Sequence, residues 1–164
     1  MKKLVATLMV GIVFTSHVIS VNAASEAKYV GEVVTYQGVN QEMTVNPQMS
    51  MSVKRKPTLT YKANLSVKAA IVSGTTLYLS STAKVKNTGA AVRIDKMTIS
   101  GKITGTDKQS KSGSKTGKNT SSLSYKLYTS DYGKGTLKQC SGVHSFENKG
   151  YYSKTLNTKK TYNN

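Results

Sequence analysis

The chain has 164 residues and carries 24 Lys+Arg against 7 Asp+Glu, a formal net charge of +17, with one Cys, two His and no Trp. That length accommodates one domain with at most an appendage. A lone Cys140 beside only His17 and His144 excludes an intramolecular disulfide, a multi-cysteine zinc site and a haem-attachment motif, and no cofactor or metal is implied.

The N-terminus reads as an address. Lys2 and Lys3 precede an apolar stretch from Leu4 to Val21, interrupted by Thr7, Thr15, Ser16, His17 and Ser20, and Val21-Asn22-Ala23-Ala24 supplies small residues for cleavage. This is the layout of a secretory signal peptide over residues 1–24. The uninterrupted apolar part, Leu4–Phe14, is shorter than the roughly 20 residues a membrane-spanning helix requires. No second long apolar run follows, so the mature chain, residues 25–164, is expected to be a secreted single domain without a transmembrane helix. Loss of Lys2 and Lys3 lowers the charge by two, from +17 to +15. The basic residues are almost all Lys, with Arg55 and Arg93 as the exceptions, and Asn, Thr and Ser are abundant, a composition that fits a bacterial source.

Strand periodicity dominates the remainder. Lys28–Gln37 and Met49–Lys54 read as strands, the second ended or placed at an edge by Pro57. In Thr58–Ile71 the odd positions are apolar (Leu59, Tyr61, Ala63, Leu65, Val67, Ala69, Ile71) and the even ones almost all polar, the period of a half-buried strand. Thr75–Lys86 repeats the pattern, and Ser73-Gly74 between the two runs predicts a tight hairpin whose Gly supplies φ > 0. Asn87-Thr88-Gly89 is a further turn signal. The next strand runs from Val92 to Ile103, its apolar phase slipping by one residue at Asp95-Lys96, where a β-bulge is expected.

Residues 106–122 contain Lys108, Lys111, Lys115 and Lys118 among Ser, Thr, Gly, Gln and Asn, with no apolar side chain. A segment without apolar surface cannot offset its ordering entropy, so it is expected to be a flexible basic loop. Ser122–Thr129 reads as a strand, and Gly142–Asn148 with Tyr151–Tyr162 as a closing hairpin around Asn148-Lys149-Gly150. Seven to nine short strands and no helical period predict an all-β, antiparallel β-sandwich. The segment Ala83-Lys84-Val85-Lys86-Asn87-Thr88-Gly89, followed by Val92 and Ile94, resembles the strand–turn–strand units of bacterial immunoglobulin-like domains. The resemblance implies an immunoglobulin-like sandwich and no particular activity.

Residues able to do chemistry are sparse. Cys140 and His144 pair a thiol with a base, but four residues of strand separate their Cα atoms by roughly 13 Å unless Ser141-Gly142 turns. A single thiol in an exported chain is inert when buried and can bridge two chains when exposed. The carboxylates form no paired motif and no calcium loop, and no P-loop, GxSxG or HExxH sequence occurs, so no catalytic residue is assigned and a non-enzymatic protein is expected.

Charge is the remaining signal. Lys54, Arg55, Lys56, Lys108, Lys111, Lys115 and Lys118 are the candidate polyanion-binding residues, and the expected partners are anionic cell-envelope polymers or lipid headgroups. Lys presents a point charge where Arg presents a planar fork, which disfavours specific nucleic-acid readout. Tyr128, Tyr132, Tyr151 and Tyr152 offer either an exposed aromatic patch or cover for a sheet edge. The expected role is thus a secreted, wall-associated binding or structural module. The alternative is a membrane-active toxin or bacteriocin-like protein inserting the amphipathic hairpin 58–86, whose strands reach the roughly 9–11 residues of a barrel strand.

Overall fold

A computed structural model describes residues 33–48, 56–70 and 74–162. The expected signal peptide, residues 28–32 of the first expected strand and the expected strand Met49–Lys54 lie outside them. The described residues form β1 (Val33–Val45), β2 (Leu59–Ala70), β3 (Thr75–Val85), β4 (Ile94–Gly105), β5 (Ser110–Thr120), β6 (Ser122–Thr129), β7 (Leu137–Glu147) and β8 (Lys154–Thr161), with no helix. These build two antiparallel four-stranded sheets, β1-β2-β3-β6 and β5-β4-β7-β8, which pack face to face as a β-sandwich.

The period-two runs become the middle of the fold. Leu59, Tyr61, Ala63, Leu65, Val67 and Ala69 of β2 are buried, as are Leu77, Leu79 and Ala83 of β3. Opposite them lie Met97, Ile99 and Ile103 of β4 and Cys140, His144 and Phe146 of β7. Each fully buried Leu or Ile contributes roughly 1.5–3 kcal/mol, which drives the two sheets together. Tyr61 stacks across the interface on Phe146, ring centroids 4.5 Å apart and planes 5° from parallel. The β2–β3 hairpin turns through Gly74 at φ 74°, and Gly89 and Gly150 also have positive φ.

Two expectations are corrected. The phase slip in β4 is real, since Ile94 and Met97 are both buried. Pairing with β5 nevertheless continues through it, Ile94 opposite Thr120 and Lys96 opposite Lys118, so no bulge forms there. The backbone departure falls instead at Asn119, φ 47°. Register shifts occur between Tyr36 and Val39 of β1 and between Thr104 and Gly105 of β4.

The second correction concerns residues 106–122. They are not a loop: residues 110–120 are β5, paired with β4 from Ile94↔Thr120 to Thr104↔Ser110. An already ordered neighbour lets the backbone satisfy its hydrogen bonds by adding a strand, and that gain needs no apolar side chain. The reversal between β4 and β5 is tied locally. Lys108 adopts φ 69°, the Gln109 N–H donates to Asp107 Oδ1 at 3.0 Å, and the Gly105 N–H donates to the Gln109 carbonyl.

Three glycines set the distance between the sheets. Gly113, Gly101 and Gly142 stand side by side on β5, β4 and β7, with Thr158 of β8 completing the row. A β-carbon on Gly101 would lie 2.9 Å from Leu79 Cδ1, and one on Gly142 would lie 2.5 Å from Leu79 Cδ2, 2.8 Å from Thr158 Oγ1 and 2.9 Å from His144 Nε2. The row is a trough that receives Leu79, with Tyr125 lying over Gly113. Gly142→Ala is therefore expected to cost about 1–3 kcal/mol in urea unfolding, the range for overpacking a core. Gly135→Ala, where nothing lies within 4 Å, is expected to stay within about 0.5 kcal/mol of wild type.

Candidate functional site

β5 is an edge strand, and its alternation is between hydroxyls and Gly or Lys. Ser110, Ser112, Ser114 and Thr116 fall on one side; Lys111, Gly113, Lys115 and Gly117 fall on the other. The second set shares a face with Ile103, Gly101, Ile99 and Met97 of β4. At the two glycines that face lies under Tyr125, Leu127 and Leu123 of β6. Lys111 and Lys115 thus point along the open side of the sandwich, exposed to solvent, with Lys118 on the opposite side of the strand and Lys108 in the preceding turn. Inward-pointing lysines on an edge strand also oppose pairing with a further strand. The structure therefore gathers these four sequence-chosen lysines on one edge.

The other basic candidates separate from them. Lys54 and Arg55 lie outside the described residues. Lys56 is engaged within the fold: its Nζ donates to the Lys149 carbonyl at 2.9 Å and stands 5.8 Å from the Tyr151 ring centre. It ties the turn at 148–150 to the chain entering β2.

The acids explain why the remaining cations dominate. Glu42 pairs with Lys62 at 2.6 Å and Glu147 with Lys96 at 2.9 Å. Asp95, at the phase slip, accepts the Lys149 N–H at 2.6 Å, capping a turn 54 residues away. Asp107 caps the β4–β5 turn, and Asp131 accepts the Thr129 hydroxyl at 2.8 Å. Every acid among the described residues thus has a local structural partner. Among those residues, none of Lys108, Lys111, Lys115 and Lys118 forms an ion pair. Exposed pairs such as Glu42–Lys62 contribute only about 0–1 kcal/mol to stability; their larger effect here is to neutralise cations elsewhere on the surface.

The four tyrosines do not make an exposed patch. Tyr132 and Tyr151 are buried, and the Tyr151 hydroxyl donates to the Pro57 carbonyl at 2.8 Å. Only Tyr152 is largely exposed, at 61%, with Lys154 Nζ 6.0 Å from its ring centre.

Cys140 and His144 both point into the core from β7, and Ser141-Gly142 between them is continuous strand. No turn brings the two together. Burial pushes the Cys140 thiol up to about 12, opposed by a hydrogen bond involving Tyr162. The thiol is thereby removed from the surface where a second chain would have to meet it.

His144 has partners the sequence did not reveal. Its Nδ1 lies 2.9 Å from Ser81 Oγ on the facing sheet, and its Nε2 lies 3.0 Å from Thr158 Oγ1, which in turn lies 3.4 Å from the Gly142 carbonyl. One proton arrangement satisfies the chain of contacts. Ser81 donates to Nδ1, Nε2–H donates to Thr158, and Thr158 donates to the carbonyl. A serine against a histidine is also the geometry of an activated nucleophile, but Ser81 is 1% exposed and His144 fully buried, so no substrate in solution can reach the hydroxyl. No group of three or more His, Cys, Asp or Glu able to hold a metal occurs among the described residues, and no helix there is long and apolar enough to cross a membrane.

No protein-family model matches the chain, and the comparisons with curated proteins and with solved structures found no match either.

Burial lowers the His144 pKa from 6.5 to about 4. The unfolded ring takes up a proton near pH 6.5 that the folded ring refuses until about pH 4. This contribution to stability is therefore complete above pH 6.5, falls as the pH drops towards 4, and is constant below that. Between pH 7.5 and 5 wild type should lose about 2 kcal/mol more than His144→Gln in urea unfolding, which subtracts the carboxylate titrations common to both. Cys140 is expected to react with a soluble disulfide reagent only after denaturation.

Proposed function

We propose that this chain is an exported, non-catalytic binding module of the bacterial envelope, retained by attraction of its lysine-bearing edge to anionic polymers. The observation that carries the proposal is the division of charge. All described acids are held in structural contacts, while Lys108, Lys111, Lys115 and Lys118 line one exposed edge without a counter-charge among the described residues. The signal-peptide pattern and the excess of Lys over Arg support a secreted protein that meets a polyanion through point charges, without shaped recognition of one phosphate.

The strand order supports an immunoglobulin-like reading of the sandwich. β3 to β8 follow the order of strands B, C, C′, E, F and G: β3 and β6 are neighbours in one sheet, and β4, β5, β7 and β8 form the other in the order β5-β4-β7-β8. Membrane insertion by the β2–β3 hairpin is the weaker proposal, because the apolar sides of both strands already form the sandwich core.

The test is co-sedimentation of the exported protein with purified bacterial cell walls, with and without teichoic acid. If the four β5-edge lysines each displace about 0.7 counterion, affinity should fall on the order of a hundredfold between about 50 and 300 mM salt. Replacing all four by Gln should flatten that slope and leave the unfolding midpoint close to wild type. Wall binding insensitive both to salt and to the four substitutions would refute the proposal.

A further inference from the structure

The outer face of the β1-β2-β3-β6 sheet carries a feature for which retention by charge gives no reason. An open groove of about 670 Å³ crosses all four of its strands. Asn40, Asn64, Ser80 and Ser124 stand opposite one another on successive strands and form its floor. At a strand spacing of about 4.8 Å that row is roughly 14 Å long. Asn64 Nδ2 donates to Ser80 Oγ at 3.2 Å, so the row is partly ordered within itself.

Beside the row lies Tyr78, directly opposite Lys126 of β6. Lys126 Nζ is 5.6 Å and Lys68 Nζ is 5.9 Å from the centre of its ring. Lys115 reaches the same groove from the β5 edge, and no carboxylate lines it. Glu42, beyond its β1 end, is neutralised by Lys62.

These groups define a ligand. Amides and hydroxyls in a line donate and accept equally, as a series of sugar hydroxyls requires. An aromatic ring offers a flat apolar surface to the C–H face of a pyranose. The ammonium groups of Lys68 and Lys126 stand over the ring on flexible stems, which can swing aside to admit a pyranose and turn to its acidic groups, and with no acid among the lining residues they favour a negatively charged chain. We infer that this groove binds a linear acidic polysaccharide, with one pyranose unit on Tyr78 and its acidic substituents near Lys68, Lys126 and Lys115. The inference goes beyond retention by charge, which needs no sugar ring and no groove.

The experiment compares binding of the full chain to polygalacturonate, which has rings and charge, to polyphosphate, which has charge alone, and to dextran, which has rings alone. Wild type is expected to prefer polygalacturonate. Tyr78→Ala should weaken that interaction by about tenfold or more while changing polyphosphate binding by less than about twofold. Tyr78→Phe, which keeps the ring, should retain most of the affinity. Ser124→Trp, an exposed position on an edge strand, should block the groove without touching the core and so give the same selective loss. Absence of polygalacturonate binding by wild type would overturn the inference. So would unchanged binding in Tyr78→Ala and Ser124→Trp, or equal losses for polygalacturonate and polyphosphate. If polyphosphate alone fails to bind, the lysine-edge proposal falls while a Tyr78-dependent glycan site stands.

Discussion

The close approach of two sheets over a row of glycines is the constraint on which the rest of the structure depends. Leu79 fits against Gly101 and Gly142 only because neither carries a β-carbon. That approach brings Ser81, two residues along β3, to 2.9 Å from His144. It also lets Tyr125 lie over Gly113, so that the wholly polar β5 has a neighbour to pack against. A wider spacing would leave the histidine without its serine and an imidazole buried with an unsatisfied nitrogen, at a cost of about 1–3 kcal/mol. The buried polar chain and the apolar packing therefore specify the same sheet separation.

Charge is distributed by the same architecture. Outward-facing positions on the two sheets hold paired or isolated lysines, and the few acids are drawn into turns and cross-strand pairs. Four of the cations outside those ion pairs gather on the β5 edge, and Lys115 among them reaches around the β6 edge to a groove on the opposite sheet. Both surfaces repel positive partners and tolerate anionic ones. They differ in shape: the edge presents charge without enclosure, whereas the groove combines charge with a ring and a line of hydrogen-bonding groups. A polymer carrying both sugar rings and acidic groups could meet both surfaces at once, gaining from their linkage even where each contact is weak.

The alternation of apolar and polar residues in 58–71 and 75–86 was enough to place β2, β3 and their hairpin, because period two survives in any environment that buries one face of a strand. The same signal placed β6, β8 and the second half of β7, but not its first half, Leu137–Ser141. It failed for β5, where Ser110-Lys111-Ser112-Gly113-Ser114-Lys115-Thr116-Gly117 alternates strictly but between residue classes that hydropathy does not separate. It also failed for the second half of β1, where Gly38, Asn40 and Gln41 dilute the pattern around Val39, Met43 and Val45. The turn at Asp107-Lys108 and the hydroxyl period on β5 were the available clues.

By itself the sequence determined the all-β class, most strand positions, the turns at Gly74, Gly89 and Gly150, and the excess of positive charge, because each depends on local periodicity or simple counting. Only the tertiary structure decided which strands became edges, that Gly101, Gly113 and Gly142 share one row, that His144 meets Ser81 and Thr158, and that Lys56 serves a turn while the β5 lysines face solvent. Those outcomes depend on pairing register and on which sheet each strand joins. The contacts involved link residues 12 to 93 positions apart, separations that no local pattern encodes.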